Sequence, residues 1–393
     1  MKIRSKLINK ENYEKIEINI DYRFKIVYAF AMLSVISDHC RGKGSIELDI
    51  QGWFPYNSFH MPLFVFSAGY FFKNKYIDYS FIYIVKKLKK LIFPIYAYNL
   101  FYGFYIQILK KLGFLGNLRS FNIKIIFIQP LFGNGFQHIT PSWFSATLFY
   151  IEVYNISKRK IISFLNLNVH ESLYLIIDLI ISSMSVSLSN QGHNKKKICM
   201  YILRILHLNI YYELGIFFKK HLEKLYKSIR NDIYFPSIFL LKLIFHLYYS
   251  NSPYFLYGGS IYFNYSPFTV TTISILGIAF WIRLSEIFEP ILGKNYYVNT
   301  IADNTFSIMI NHLFALDIVR TIFALISKYT SYCKFFDFNQ YYSMKPFYIY
   351  IPNNVLQIGI VYYLSCLIIP IIIQKIINKM KAIIFSINFF NSK

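Results

Sequence analysis

Long apolar runs recur along the whole chain, separated by short polar or basic stretches, and this pattern restricts the fold most strongly. A transmembrane helix needs about 20 predominantly apolar residues to cross the hydrocarbon core of a bilayer. Only 16% of the 393 residues are charged, whereas a soluble domain carries about 25%. The sequence therefore predicts an all-α polytopic membrane protein.

Ten apolar stretches predict about ten transmembrane helices in one bundle, which forms a single membrane domain over residues 1–393. They lie at about 24–40, 59–73, 91–109, 143–160, 172–189, 198–218, 233–249, 267–284, 301–325 and 353–373. With ten spans, the basic run 195–197 falls on the outer side, against the usual distribution of Lys and Arg. A count that differs by one span between 161 and 218 therefore stays open.

The chain is strongly basic, with 42 Lys and Arg against 19 Asp and Glu and a net charge of +23. In a soluble protein this charge would suggest nucleic acid, but here the basic residues lie between apolar runs. They are expected to set topology and to contact anionic lipid headgroups. We therefore expect membrane lipid, and no nucleic acid, as a partner. The basic segment 1–23 and the tail 374–393 are predicted to be cytoplasmic, and the KKLKK run at 86–90 is predicted to lie on the inner leaflet.

The first two apolar stretches form a predicted hairpin that carries a histidine at the end of each arm, His39 and His60. An ionisable side chain in a membrane helix costs free energy and usually has a function. Two histidines brought together by one hairpin suggest a catalytic site. The alternative for His39 alone is a helix-end residue that faces headgroups.

One face of the first stretch leads from a cation to this histidine. Positions eleven apart on a helix differ by about 20° in direction, so Tyr28 lies beneath His39. Lys25 lies within about 40° of the same face, one turn lower. This helix face suits an acyl donor whose phosphate-bearing part lies near Lys25 and whose reactive end lies near His39. The alternative is that Lys25 only marks the end of the span.

Other polar residues within the apolar stretches are candidate substrate contacts. Ser67 follows His60 by seven residues and lies on nearly the same helix face, although the small residues around it also suit helix packing. Glu152 and His312 lie well inside their stretches. Such groups usually face the bundle interior or a wet cavity, or form structural ion pairs.

Several short motifs resemble one known family. FHMPLFVFSAGYFF follows a stretch that ends in VISDH, PSWFSATLFYIEV begins the fourth stretch, and NTFSIMINHLF lies in the ninth. YYELGIFFKK is a weaker match. In this order they resemble the acyltransferase 3 family of integral membrane proteins, particularly its fucose 4-O-acetylase-like branch. The resemblance implies a ten-span core that transfers an acyl group, usually acetyl, from cytoplasmic acyl-CoA to a hydroxyl of an envelope carbohydrate.

By position, the resemblance makes His39 the essential histidine and His60 the second-span histidine, and it places Trp143 in the family's WF segment. The chain departs from the family at Tyr28, where the family commonly has Arg or Lys. Lys25 is the candidate substitute. A non-enzymatic membrane subunit with a decayed site is a further interpretation of Tyr28.

These observations predict a membrane O-acyltransferase of the bacterial inner membrane, with acetyl-CoA as donor, a carbohydrate acceptor, no bound cofactor and no metal. The predicted catalytic residues are His39 as general base and His60 as acceptor-positioning or oxyanion-stabilising group. The predicted donor contacts are Lys25 and Tyr28, and the predicted substrate contacts are Ser67, Trp143, Glu152 and His312. The alternative is a transporter of a polysaccharide or lipid-linked sugar, which turnover of radiolabelled acetyl-CoA would distinguish.

Overall fold

A computed structural model describes residues 20–40, 52–114, 119–250, 253, 255, 257, 261–332, 336–343 and 356–391. Long α-helices, with short 3-10 and π segments, form the regular structure of these ranges, so the all-α prediction is confirmed. Most of the basic segment 1–23 and the first residues of the stretch 353–373 lie outside the described residues.

Each of the ten predicted stretches contains a helix, numbered here in chain order. These are α1 Tyr22–His39, α2 His60–Tyr70, α3 Ser80–Lys111, α4 Trp143–Phe164, α5 Glu171–Asn190, α6 Lys197–Phe217, α7 Asn231–Tyr249, α8 Pro267–Leu292, α9 Thr305–Tyr329 and α10 Leu356–Asn391. By length and composition, five are able to cross a membrane: α3, α5, α8, α9 and the part Gly359–Ile383 of α10. The chain therefore has the helices of a membrane protein, while the count of ten spans stays a prediction.

The second helix is much shorter than its predicted span. The stretch 59–73 contains only the 11 helical residues His60–Tyr70, which rise about 16 Å. Phe72, which follows the helix, is buried, and the guanidinium of Arg159 lies 5.4 Å from the centre of its ring. The chain leaves the helix at Phe71, although the apolar run continues to Phe72.

The KKLKK run is part of a longer helix, and its predicted position on the inner leaflet stays a prediction. It belongs to α3, which continues without a break from Ser80 to Lys111 through a π segment, Leu88–Ile92. Ser145 on α4 donates a hydrogen bond of 2.9 Å to the carbonyl of Leu91 at this segment. The contact holds the lysine run against α4, so that two of its lysines reach a cavity described below.

Ion pairs define one end of the bundle, which we call the lysine end and which contains Arg23, Arg159 and Lys220. Arg159 and Lys220 both bind Glu171 at the start of α5. Further along, Ser182 on α5 contacts His207 on α6 at 2.9 Å, so the two helices are antiparallel. Residues 195–197, between these helices, therefore lie at the opposite end, as the ten-span count requires.

Glu223 ties three segments together at the lysine end. Its carboxylate accepts hydrogen bonds of 2.9 Å from Arg23 in the first turn of α1 and from Tyr70 at the end of α2. Burial by itself raises the pKa of Glu223, but hydrogen bonds from Arg23, Tyr70 and Lys227 outweigh it and lower the pKa below its ordinary value. The carboxylate is thereby kept charged as the anionic partner of Arg23.

The small residues of α2 serve close packing against α6. A Cβ atom at Gly69 would overlap the backbone carbonyl of Tyr212, and one at Gly215 would overlap that of Phe66. The two backbones are thus in direct contact, as small residues permit in membrane bundles. This contact fixes the orientation of α2, and with it the position of His60.

Labelling of single cysteines should place the segment that follows α2 and the predicted cytoplasmic tail on one side of the membrane. In a background without the four native cysteines, Lys75→Cys and Lys379→Cys should react only with reagent supplied from the cytoplasmic side. Lys195→Cys, which is exposed between α5 and α6, should react only from the other side. Labelling of Lys75→Cys and Lys195→Cys from the same side would contradict the arrangement.

Candidate functional site

The structure brings His39, the last residue of α1, against His312 of α9. The centres of the two rings are 4.5 Å apart and the rings are tilted by 63°. Each Nδ1 contacts the carbonyl four residues earlier, Val35 at 2.9 Å and Ile308 at 3.0 Å. A carbonyl only accepts, so each Nδ1 carries a hydrogen and donates it to that carbonyl.

Neighbouring helices hold this histidine pair in place. Cys366 of α10 contacts the carbonyl of His312 at 3.5 Å, and its Sγ lies 3.8 Å from the Sγ of Cys40. On the other flank, the hydroxyl of Tyr102 donates a 2.6 Å hydrogen bond to Asn311. Elements from α1, α3, α9 and α10 therefore meet at the pair, which gives it the rigid support that a catalytic group needs.

A cavity of about 660 Å³ lies beside α1. Tyr28, Met32 and Val35 line it from one face of α1, and His39 is the next residue on that face, four positions after Val35. On α2 the wall begins at Met61, directly after His60. The wall also includes Phe64, Ala68, Lys87, Lys90, Leu91, Phe144, Ser145, Leu148, Glu152, Ala302, Asp303, Asn304, Thr305, Phe306, Ser307, Met309, Gln374 and Asn378.

Three helices that wall this cavity each carry a histidine close to their lining residues. His39 follows the lining of α1 and His60 precedes that of α2. On α9, Met309 lines the cavity and His312 comes three residues later. None of the three histidines is among the lining residues, but each lies within four residues of one along its helix.

The wall from α3 and α4 is polar and cationic. Lys87 and Lys90 are three residues apart, so they share a face of α3, and both line the cavity. The Nζ of Lys87 lies 2.5 Å from Oε1 of buried Glu152, while Lys90 is exposed. Glu152 lies eight residues beyond Phe144 along α4, which is about 12 Å closer to the lysine end.

The two predicted donor contacts have different positions. Tyr28 lines the cavity, and its ring stacks on Phe64 with centres 5.8 Å apart. Lys25 forms an ion pair with Asp303, which also lines the cavity. A phosphate at Lys25 would therefore compete with this carboxylate, and its predicted role stays a prediction.

Ser67 and Trp143 are not among the cavity residues. The hydroxyl of Ser67 donates a 2.8 Å hydrogen bond to the carbonyl of Leu63 within α2. The guanidinium of Arg204 lies 4.5 Å from the centre of the Trp143 ring, in a cation–π contact. Their predicted substrate contacts stay predictions, and both side chains have structural partners. The neighbours of Trp143 on α4, Phe144 and Ser145, do line the cavity.

Sequence reasoning missed two groups. One is the pair Lys87 and Lys90, for which the spacing of three and the unbroken apolar run that follows were available signals. The other is a buried cluster in which His138 contacts one carboxylate oxygen of Asp317, while Arg320 donates a 2.6 Å hydrogen bond to the other. No local pattern links His138 to Asp317, so the sequence offered no signal for this cluster.

In the part of the chain that the structure describes, no group of three or more His, Cys, Asp or Glu side chains could hold a metal ion. The cavity and its histidines are the arrangement in this structure with the most evident capacity for chemistry. No protein-family model, no curated protein and no solved structure matches the chain.

Proposed function

We propose that the chain is a membrane O-acyltransferase that moves an acyl group, acetyl in the first instance, from cytoplasmic acyl-CoA to a hydroxyl of a cell-envelope carbohydrate. The observation that carries the proposal is the cavity itself. Lysines line one of its walls, and His39, His60 and His312 each lie within four residues of a lining residue along their helices. Its volume of about 660 Å³ is within the range of small-molecule sites, about 300–1,000 Å³.

The donor binds with its phosphates at the lysine wall. Ammonium groups make strong, charge-assisted hydrogen bonds to phosphate, and Lys90 is exposed and lines the cavity. The apolar side chains of α1 and α2 then accommodate the arm that carries the thioester. In this arrangement Lys87 and Lys90 supply the cation that the chain lacks at Tyr28.

The acyl transfer takes place near His39, His60 and His312, which we call the histidine end. The Nε2 of His39 takes the proton of the acceptor hydroxyl while the hydroxyl oxygen attacks the thioester carbonyl. A new C–O ester bond forms and the C–S bond breaks. The proton then passes from the imidazole to the departing thiolate, which leaves as coenzyme A thiol. His60 stabilises the negative oxygen of the tetrahedral intermediate, and His312 holds the ring of His39 in position.

The orientation follows from the same arrangement. The lysine end faces the cytoplasm, where Lys and Arg concentrate in membrane proteins, and the histidine end faces the acceptor. In a bacterial inner membrane, both termini are then cytoplasmic.

Acyl transfer from a labelled donor tests this function directly. Purified protein in lipid vesicles is supplied with radiolabelled acetyl-CoA and with surface glycan prepared from a strain that lacks the chain. We expect acetyl ester on the glycan and an equal amount of free coenzyme A thiol. Vesicles with no protein and with His39→Ala serve as controls. Movement of intact glycan across the vesicle membrane, with no acetyl ester and no released thiol, would instead show the alternative transporter.

A further inference from the structure

Methionines are prominent among the residues that line the cavity. Three of the eight methionines of the chain line this one cavity, and all three are buried. They come from three helices, Met32 from α1, Met61 from α2 and Met309 from α9. We call these three residues the methionine collar.

Each residue of the collar is close along its helix to a histidine. Met32 lies seven residues before His39, on nearly the same face of α1. Met61 directly follows His60, and Met309 precedes His312 by three residues. Met32 and Met309 therefore lie on the helix segments that lead to the His39–His312 pair, and Met61 is next to His60 along the chain.

The chemistry of the collar suits an acyl chain. A thioether side chain offers no hydrogen-bond donor and is only a weak acceptor, so the collar provides an apolar surface. In the proposed reaction the thioester carbonyl has to reach His39, and the hydrocarbon group attached to that carbonyl must then lie against the collar. The side chains of Met32, Met61 and Met309 would then bound the space open to that group.

We propose that the methionine collar is the acyl-binding subsite and limits the donor to short acyl groups such as acetyl. This inference rests on the proposed function. Methionine is flexible and fills irregular gaps, so the limit is expected to be graded rather than absolute. Replacement of one methionine by alanine should lengthen the acyl group that is accepted.

The test compares acyl donors within each variant. Transfer from acetyl-CoA, butyryl-CoA and octanoyl-CoA is measured with the wild type, Met61→Ala and Met309→Ala. A methylene group in an apolar pocket changes kcat/KM by about tenfold or more. We therefore expect the ratio of acetyl to butyryl kcat/KM to fall at least about tenfold in one or both variants. The ratio does not depend on how much of the protein is folded.

Two controls distinguish a change at the acyl-binding subsite from a general loosening of core packing. Met200→Ala removes a methionine that is equally buried but lies on α6 outside the cavity, and it should leave the ratio unchanged. Met61→Leu keeps most of the side-chain volume, so its acetyl-to-butyryl ratio of kcat/KM should stay close to that of the wild type. This variant remains informative if Met61→Ala does not fold, because Met309→Ala then supplies the comparison.

The outcomes distinguish this inference from the proposed function. An unchanged ratio in Met61→Ala and Met309→Ala, with acetyl transfer still present, would overturn the subsite and leave the function intact. An equal fall of the ratio in Met200→Ala would overturn it as well. The absence of transfer from every donor in the wild type would overturn both.

Discussion

Replacement of His39 by alanine is expected to reduce acyl transfer at least about 100-fold, since a positioned general base contributes about 10²–10⁴-fold to a rate. The Nδ1 of this ring donates to the carbonyl of Val35 at 2.9 Å, and Nε2 is the proposed base. Alanine removes that atom. The rate of ester formation at saturating acetyl-CoA is the measurement.

The His39→Ala variant must be shown to fold like the wild type. His39 is half-buried at the end of its helix, so alanine should be tolerated there, and expression, membrane insertion and thermal unfolding should match the wild type. His193→Ala, which removes an exposed histidine between α5 and α6, should retain full activity. His312→Ala removes the neighbouring ring and should lower the rate less than His39→Ala. Wild-type levels of acetyl ester with His39→Ala would refute the catalytic assignment.

Replacement of Lys90 by alanine should raise the KM for the acyl donor about 10- to 100-fold. A charge-assisted hydrogen bond contributes about 1.5–3 kcal/mol, and about 1.4 kcal/mol is a factor of ten in affinity. Lys90 lies far from the reacting atoms in the proposed complex, so it should bind ground state and transition state equally. The turnover number at saturating donor should therefore change little.

The neighbouring lysine supplies a matched control. Lys89→Ala removes the same charge from the same helix, but Lys89 does not line the cavity, so its KM should stay near the wild-type value. Equal effects of Lys89→Ala and Lys90→Ala would show that only the general positive charge of this segment matters. The KM is obtained from the dependence of the initial rate on acetyl-CoA concentration.

Lys87 needs a different design because it binds Glu152. Lys87→Ala alone would leave a buried carboxylate without its cation, which typically costs about 3–5 kcal/mol of stability. When Lys87→Ala is combined with Glu152→Gln, no unpaired carboxylate is left buried, because glutamine is neutral. The double variant should remain folded and still show a raised donor KM.

The helices of this chain were largely predictable because apolar length determines them. All ten stretches contain a helix, and α5 Glu171–Asn190 differs from its prediction by only one residue at each end. The length of α2 was not predictable, because Phe72 is apolar yet packs outside the helix. The KKLKK run has the composition of an interfacial segment, but contacts of Lys87 and Leu91 with α4 place it inside a long helix.

The candidate site was predictable only in part, for a related reason. His39 and His60 were found because a short hairpin connects them, and ionisable residues stand out in apolar helices. The contact of His39 with His312 depends on the packing of α1 against α9, which no local pattern encodes. The same holds for the cavity, whose walls come from segments spread between Tyr28 and Asn378.

The short second helix has a consequence for how a chemical group could pass through the membrane. An 11-residue helix rises about 16 Å, roughly half of the ~30 Å hydrocarbon thickness of a bilayer. In the proposed reaction, the coenzyme stays on one side of this short helix and the sugar on the other, and only the acyl group changes its covalent carrier. The proposed reaction would thereby modify a glycan outside the cell with groups activated inside it.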